Sequence, residues 1–120
     1  MPHSESPWAF GEWIICPRQN QMTKADHEAI PIKPRLMRVW HFLMLHRGEI
    51  VRRIALTEAV WPERSITNNL VAKSISELRQ VLLKYFGRQI RIETIRGIGY
   101  RLKADQPLDR QILARHLPRA

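Results

Sequence analysis

The sequence predicts an α+β fold on three observations. Short β-prone runs fill the chain before residue 33, three stretches of helical periodicity lie between residues 34 and 86, and an alternating segment turns back on itself after residue 89. The chain has 120 residues, enough for one domain that buries roughly two-thirds of the surface its unfolded form exposes. With 44% apolar and 26% charged residues, the composition is that of a globular protein, not a disordered one. The expected organisation is a tail over 1–6, a domain over 7–103 and a second tail over 104–120. Within the domain, 7–32 form an antiparallel sheet, 33–86 three helices and 89–103 a hairpin.

Trp8-Ala9-Phe10 and Trp13-Ile14-Ile15-Cys16 are β-prone and separated by Gly11-Glu12. Gln21 to Lys24 and Glu28 to Ile30 flank Ala25-Asp26-His27, which reads as a hairpin turn. Pro34 opens the first helix, since proline at the first helical position forfeits no hydrogen bond. Leu36, Met37, Trp40, Leu43 and Met44 give that helix its apolar face, and Arg47-Gly48 ends it. Ile50-Val51 reads as a short extended link. A second helix runs from about Arg53 to Val60, with Leu56 and Val60 inward, and Pro62 stops it.

The third helix is the most regular element. Ser65, Thr67 and Asn68 compete to cap its start, and it runs to about Tyr85 before Gly87. Val71, Ile75, Leu78 and Leu82 form a core-facing stripe. Asn69, Lys73, Ser76 and Gln80 occupy the opposite face, with Ala72, Glu77, Arg79 and Leu83 at its edges. Beyond it, Ile90 to Ile95 alternates apolar with polar, Arg96-Gly97-Ile98-Gly99 is a tight turn, and Tyr100 to Lys103 returns. The final residues either form a short helix around Leu108 to His116 or none.

Charge supplies the functional signal. The formal net charge is +9, and it is placed unevenly: residues 1–50 carry six basic and five acidic side chains, residues 51–120 fourteen and six. A basic half joined to a neutral half implies a face for a polyanion, with nucleic acid the first candidate and a membrane surface the second. No run of 18 apolar residues and no signal-peptide pattern occur, so a cytoplasmic, nucleoid-associated protein is expected, with membrane tethering the alternative only if the natural protein extends beyond residue 120. The single cysteine, Cys16, excludes an internal disulfide. His41 and His46 stand five apart, the wrong spacing for a shared ligand face on a helix. With no carboxylate cluster, no nucleophile–base set and no Walker-type lysine after Gly97 and Gly99, no metal, no cofactor, no small-molecule substrate and no enzymatic activity are expected.

Two helices joined by a turn, the second with a polar outer face, then a hairpin tipped by an arginine: this order is a winged helix-turn-helix. Such a helix fits the major groove of DNA, and an arginine-tipped hairpin suits the strongly negative minor groove.

The residues also carry a family resemblance. Ile75-Ser76-Glu77-Leu78-Arg79, together with Ile92-Glu93-Thr94-Ile95-Arg96-Gly97-Ile98-Gly99-Tyr100-Arg101-Leu102, resembles the effector domain of OmpR/PhoB-type bacterial transcriptional regulators. Gly48-Glu49-Ile50-Val51 and Val60-Trp61 fit the same pattern, and Ser65 to Asn69 is closer to the ToxR/CadC-like branch. The resemblance implies a four-stranded N-terminal sheet, three helices and a wing. It implies phosphate contacts at Trp61, Thr94 and Tyr100, a wing contact at Arg96, and base reading by Asn69, Ala72, Lys73, Ser76, Glu77 and Arg79. It further implies paired binding to repeated half-sites as a homodimer, and an RNA polymerase contact through Pro62-Glu63-Arg64.

Ala72 and Glu77 depart from the response-regulator pattern, which commonly has an acidic and a basic residue there, so no operator sequence is transferred. The residues before the first helix are too few for a phosphoacceptor domain, and none is expected within this chain. Each residue also has a plainer role. Glu77 either accepts from a cytosine amine or pairs with Lys73 four residues earlier. Trp61 and Tyr100 combine core packing with a polar tip. The expected function is sequence-specific, double-stranded DNA binding in transcription control; the alternative is a winged-helix module whose basic surface meets an acidic partner protein.

Overall fold

A computed structural model describes residues 6–62 and 67–105. The expected helix start at Ser65, the loop residues Glu63 and Arg64, and the tail with its alternative helix around 108–116 lie outside the described residues. The chain divides into two compact units with the boundary between Pro34 and Arg35, the second running to Asp105.

The first unit is a four-stranded antiparallel sheet in sequence order: β1 (Trp8–Phe10), β2 (Trp13–Cys16), β3 (Gln21–Thr23) and β4 (Ile30–Pro31). Phe10 pairs with Trp13 and Trp8 with Ile15, so β1 and β2 form the expected hairpin across Gly11-Glu12. A single 3-10 turn over Pro17–Gln19, absent from the sequence expectation, carries the chain to β3. Its end is tied to the exit from β4 by Ile32 N–H donating to the Asn20 carbonyl at 2.8 Å. β4 is displaced toward its proline relative to the expected Glu28 to Ile30, because Gln21 pairs with Pro31 and Met22 with Ile30.

The second unit contains three helices and a three-stranded sheet. Helix α1 (Pro34–Leu45) buries Leu36, Met37, Val39, Trp40, Leu43 and Met44, the expected face with Val39 added. It stops at Leu45, two residues before the expected Arg47-Gly48, where the chain turns and Gly48 N–H donates to the Leu102 carbonyl at 2.9 Å. Helix α2 (Arg53–Val60) has the expected limits and buries Leu56 and Val60. Helix α3 spans Asn68–Phe86; the Thr67 hydroxyl caps it by accepting from Leu70 N–H at 3.3 Å. Val71, Ile75, Leu78 and Leu82 are each at most 1% exposed, as the stripe requires. Trp40 of α1 meets Phe86 of α3 edge-on, with ring centroids 6.0 Å apart.

The expected link Ile50-Val51 is corrected by the structure: Val51–Arg52 is a strand, β5, at one edge of a sheet ordered β5-β7-β6. Two residues become a strand here because Val51 pairs with Tyr100 and Arg52 with Gly99. Strands β6 (Ile90–Ile95) and β7 (Gly99–Ala104) form the wing hairpin. Gly99 therefore belongs to the strand and not to the turn. A Cβ on Gly99 would lie 2.9 Å from the Arg52 Cα and run into the Val51 carbonyl, so only glycine lets β5 approach. The turn itself is Arg96 to Ile98, with Gly97 at φ 77, a conformation costly for any residue with a Cβ.

Candidate nucleic-acid interface

Helix α3 sets the site. Its inward stripe fixes its rotation about its own axis, so the residues on the opposite side must face out. Asn69, Ala72, Lys73, Ser76 and Gln80 are all exposed. This strip offers an amide, a methyl, an ammonium and a hydroxyl, none of them bulky, which is a surface able to approach base edges closely. Three expected site residues on α3 thus stand free of neighbours' bulk at its N-terminal half, with Ser76 one turn further on.

Glu77 and Arg79 behave differently, since both are half-buried and held by groups outside the helix. Arg35 in the first turn of α1 donates from Nη2 to Glu77 Oε1 at 2.7 Å and from Nη1 to Ser74 Oγ at 2.8 Å. Ser74, fully buried, donates from its own hydroxyl to the Leu70 carbonyl at 2.8 Å. Arg79 donates through Nε and Nη2 to the Ile92 carbonyl at 3.0 and 2.8 Å, and Nη2 also reaches Thr94 Oγ1 at 2.7 Å. The guanidinium thereby straps the helix to the outer edge of β6.

The wing is braced by pairs of its own. Glu93 and Arg101 stand directly opposite each other on β6 and β7 and form a 2.9 Å ion pair. The Arg101 hydrogen bond, helped by the charges of Lys103, Arg101 and Arg91, holds the Glu93 carboxyl below the usual carboxylate range, against a smaller opposing effect of burial. Arg91 and Lys103, like charges in register, are each relieved by an acid: Arg91 by Asp105 at 3.1 Å and Lys103 by Glu93 at 3.9 Å. Arg96 is exposed in the turn, and Thr94 is exposed beside it.

Trp61 and Tyr100 are almost wholly enclosed, at 8% and 5% exposure. Trp61 ends α2, its backbone N–H donating to the Thr57 carbonyl at 2.9 Å, and Tyr100 sits in β7 opposite Thr94. Both are packing residues first, with little surface to offer. Sequence reasoning missed Arg35. Its partners lie 39 and 42 residues away, so no local spacing announces it.

Among the described residues no group of three His, Cys, Asp or Glu side chains converges as a metal site. No helix among them is long and apolar enough to cross a membrane.

Comparison with known proteins converges on one family. Residues 27–102 match the family described as "Transcriptional regulatory protein, C terminal". Over 72 residues the chain is 38% identical to the transcriptional activator CadC of Escherichia coli (strain K12), a stretch that is 60% of this chain and 14% of that protein. The chain thus spans a small part of that relative's length. The solved DNA-binding domain of E. coli CadC superposes with a TM-score of 0.71 at 32% identity, over 82% of this chain and 92% of that one. The DNA-binding domain of Klebsiella pneumoniae RstA, in complex with the RstA box, superposes with a TM-score of 0.63 at 26% identity, over 81% and 96% of the two chains. The winged helix-turn-helix expected from the sequence is the fold of this chain.

Proposed function

We propose that this chain, which belongs to the transcriptional regulatory protein C-terminal family, binds double-stranded DNA sequence-specifically and controls transcription. One observation carries the reading. The exposed strip Asn69, Ala72, Lys73 and Ser76 is joined, through the Arg79–Thr94 strap, to a wing whose turn presents Arg96. A helix lying in the major groove would bring this strip to base edges, while the wing brings a guanidinium to the neighbouring backbone or minor groove.

Roles follow from these environments. Lys73, Asn69 and Ser76 read bases or adjoining phosphates, and Ala72 contributes a close apolar approach. Glu77 acts from a position already bound to Arg35, so it accepts from a cytosine amine only through its remaining lone pairs. Arg79 and Thr94 join helix to wing and lie at the phosphate level; Trp61 and Tyr100 reach a phosphate only by their edges. Similarity to a transcriptional activator and to a domain crystallised on its DNA box supports the same reading. Paired occupation of repeated half-sites, a polymerase contact at Pro62 to Arg64 and a cytoplasmic location complete the proposal.

A salt titration tests it. About six phosphate contacts give a log–log slope of roughly −5, and a true site is preferred over random DNA by at least about 10³-fold. Indifference to DNA at low salt would refute the reading. A normal slope without preference would mean non-specific packaging instead.

A further inference from the structure

The polar side chains of α3 fall into two sets. Ser74, Glu77 and Arg79 are committed inside the molecule: Ser74 to Leu70 and Arg35, Glu77 to Arg35, Arg79 to Ile92 and Thr94. Asn69, Lys73 and Ser76 are exposed, and among the described residues none of their side chains has a hydrogen bond or ion pair. Capping falls to Thr67, which accepts from Leu70 N–H, so Asn69 is spared that task.

Spacing turns the free set into a reading frame. Asn69 is the second residue of α3, and the N-terminal residues of a helix in the major groove are those that meet base edges. At a rise of about 1.5 Å per residue, Asn69 and Lys73 stand about 6 Å apart along the axis. Base pairs follow one another at about 3.4 Å, so a helix lying along the groove addresses pairs about two steps apart with these side chains. Ala72, exposed beside Lys73, lies over the pair between them.

Chemistry then names the bases. A carboxamide sets a donor beside an acceptor, which matches adenine N7 and N6 as a bidentate pair. An ammonium carries donors only, which suits guanine O6 and N7. A lone methyl forms no hydrogen bond and packs against the C5-methyl of thymine. Arg79 is the one arginine of α3, and its fork is spent on the wing, so no guanidinium of this helix competes for guanine.

We propose that Asn69, Ala72 and Lys73 read neighbouring base pairs, taking an adenine, a thymine methyl and a guanine in that order along the groove. This rests on the DNA-binding reading above and gives it a base preference.

The test selects duplexes for the full 120-residue chain from a library with a randomised core, then measures the winning duplex by fluorescence anisotropy. The consensus is expected to hold an A·T pair and a G·C pair separated by one pair that carries a thymine. Replacing the A·T pair with G·C should weaken wild-type binding about tenfold, and Asn69→Ala should erase that difference. Asn69→Gln, whose amide offers the same donor and acceptor, should keep it. Lys73→Met should erase the preference for guanine at its own pair and leave the adenine preference intact. Exchanging the central thymine for uracil removes only the C5-methyl; it should cost wild type about threefold and Ala72→Gly nothing.

A consensus without the adenine–thymine–guanine arrangement overturns the proposal. So does an adenine preference that survives Asn69→Ala, a guanine preference that survives Lys73→Met, or a uracil exchange that costs wild type and Ala72→Gly alike. Failure of the underlying reading looks different: wild type would then bind no duplex, or enrich no sequence at all. A clear consensus of other composition leaves DNA reading in place and removes only this assignment of bases.

Discussion

Arg79 of α3 and Thr94 of β6 are joined by a 2.7 Å hydrogen bond, and the same guanidinium caps the Ile92 carbonyl on the outer edge of the sheet. Hydrogen bonds to a charged donor contribute about 1.5–3 kcal/mol each when partly buried, and they are not additive at a shared group. Arg79→Met should therefore lower the unfolding free energy by about 2 kcal/mol, read from the urea midpoint. Thr94→Val should cost less, because the Ile92 carbonyl keeps its partner. Equal losses in the two variants would show that the Thr94 contact, not the carbonyl cap, holds helix and wing together.

Gly99 is where β5 and β7 come closest. Gly99→Ala places a methyl against the backbone of Val51 and Arg52, which has no flexible side-chain end to yield. Overpacking of this kind costs about 1–3 kcal/mol. The expected result is a lower urea midpoint together with loss of amide protection at Val51 and Arg52 in hydrogen exchange. Unchanged protection there would mean that β5 pairs by some other approach.

These two sites show what a sequence discloses. The limits of α2, the inward stripe of α3 and the alternation of β6 were all legible, because each is set by periodicity and by local stops such as Pro62 and Gly87. Val51–Arg52 was not legible as a strand, since two residues become one only by pairing with Tyr100 and Gly99 almost fifty positions later. Arg35 escaped notice for the same reason. Helical phase placed Arg79 at the margin of the outer face correctly, yet it could not foretell that the guanidinium folds back onto Ile92 and Thr94. For Glu77 the spacing offered Lys73 as a partner, whereas tertiary packing supplies Arg35. What is lost between sequence and site is where long, charged side chains end.

Glu93 gives the wing a pH response. Its lowered pKa means that the native state favours the carboxylate more than the unfolded chain does. The stabilisation is complete above the ordinary glutamate range and disappears as pH falls through the lowered native value. Urea midpoints should therefore decline from about pH 5 downward. Glu93→Gln should begin less stable at neutral pH and show a flatter decline. A parallel decline in both proteins would assign the acid sensitivity to other carboxylates.

Lys73 and Arg96 separate reading from holding. Lys73 stands on the strip that faces base edges, where its ammonium can donate to guanine O6 or N7, so Lys73→Ala should change the preferred sequence as well as the affinity. Arg96 stands in the wing turn, where a phosphate or the minor-groove potential attracts it regardless of sequence. Arg96→Ala should weaken binding to all duplexes by a similar factor and reduce the salt slope by about one. Selection from a randomised duplex library, repeated with each variant, distinguishes them. If Arg96→Ala shifts the selected consensus while Lys73→Ala preserves it, the wing and not the N-terminal half of α3 carries the specificity.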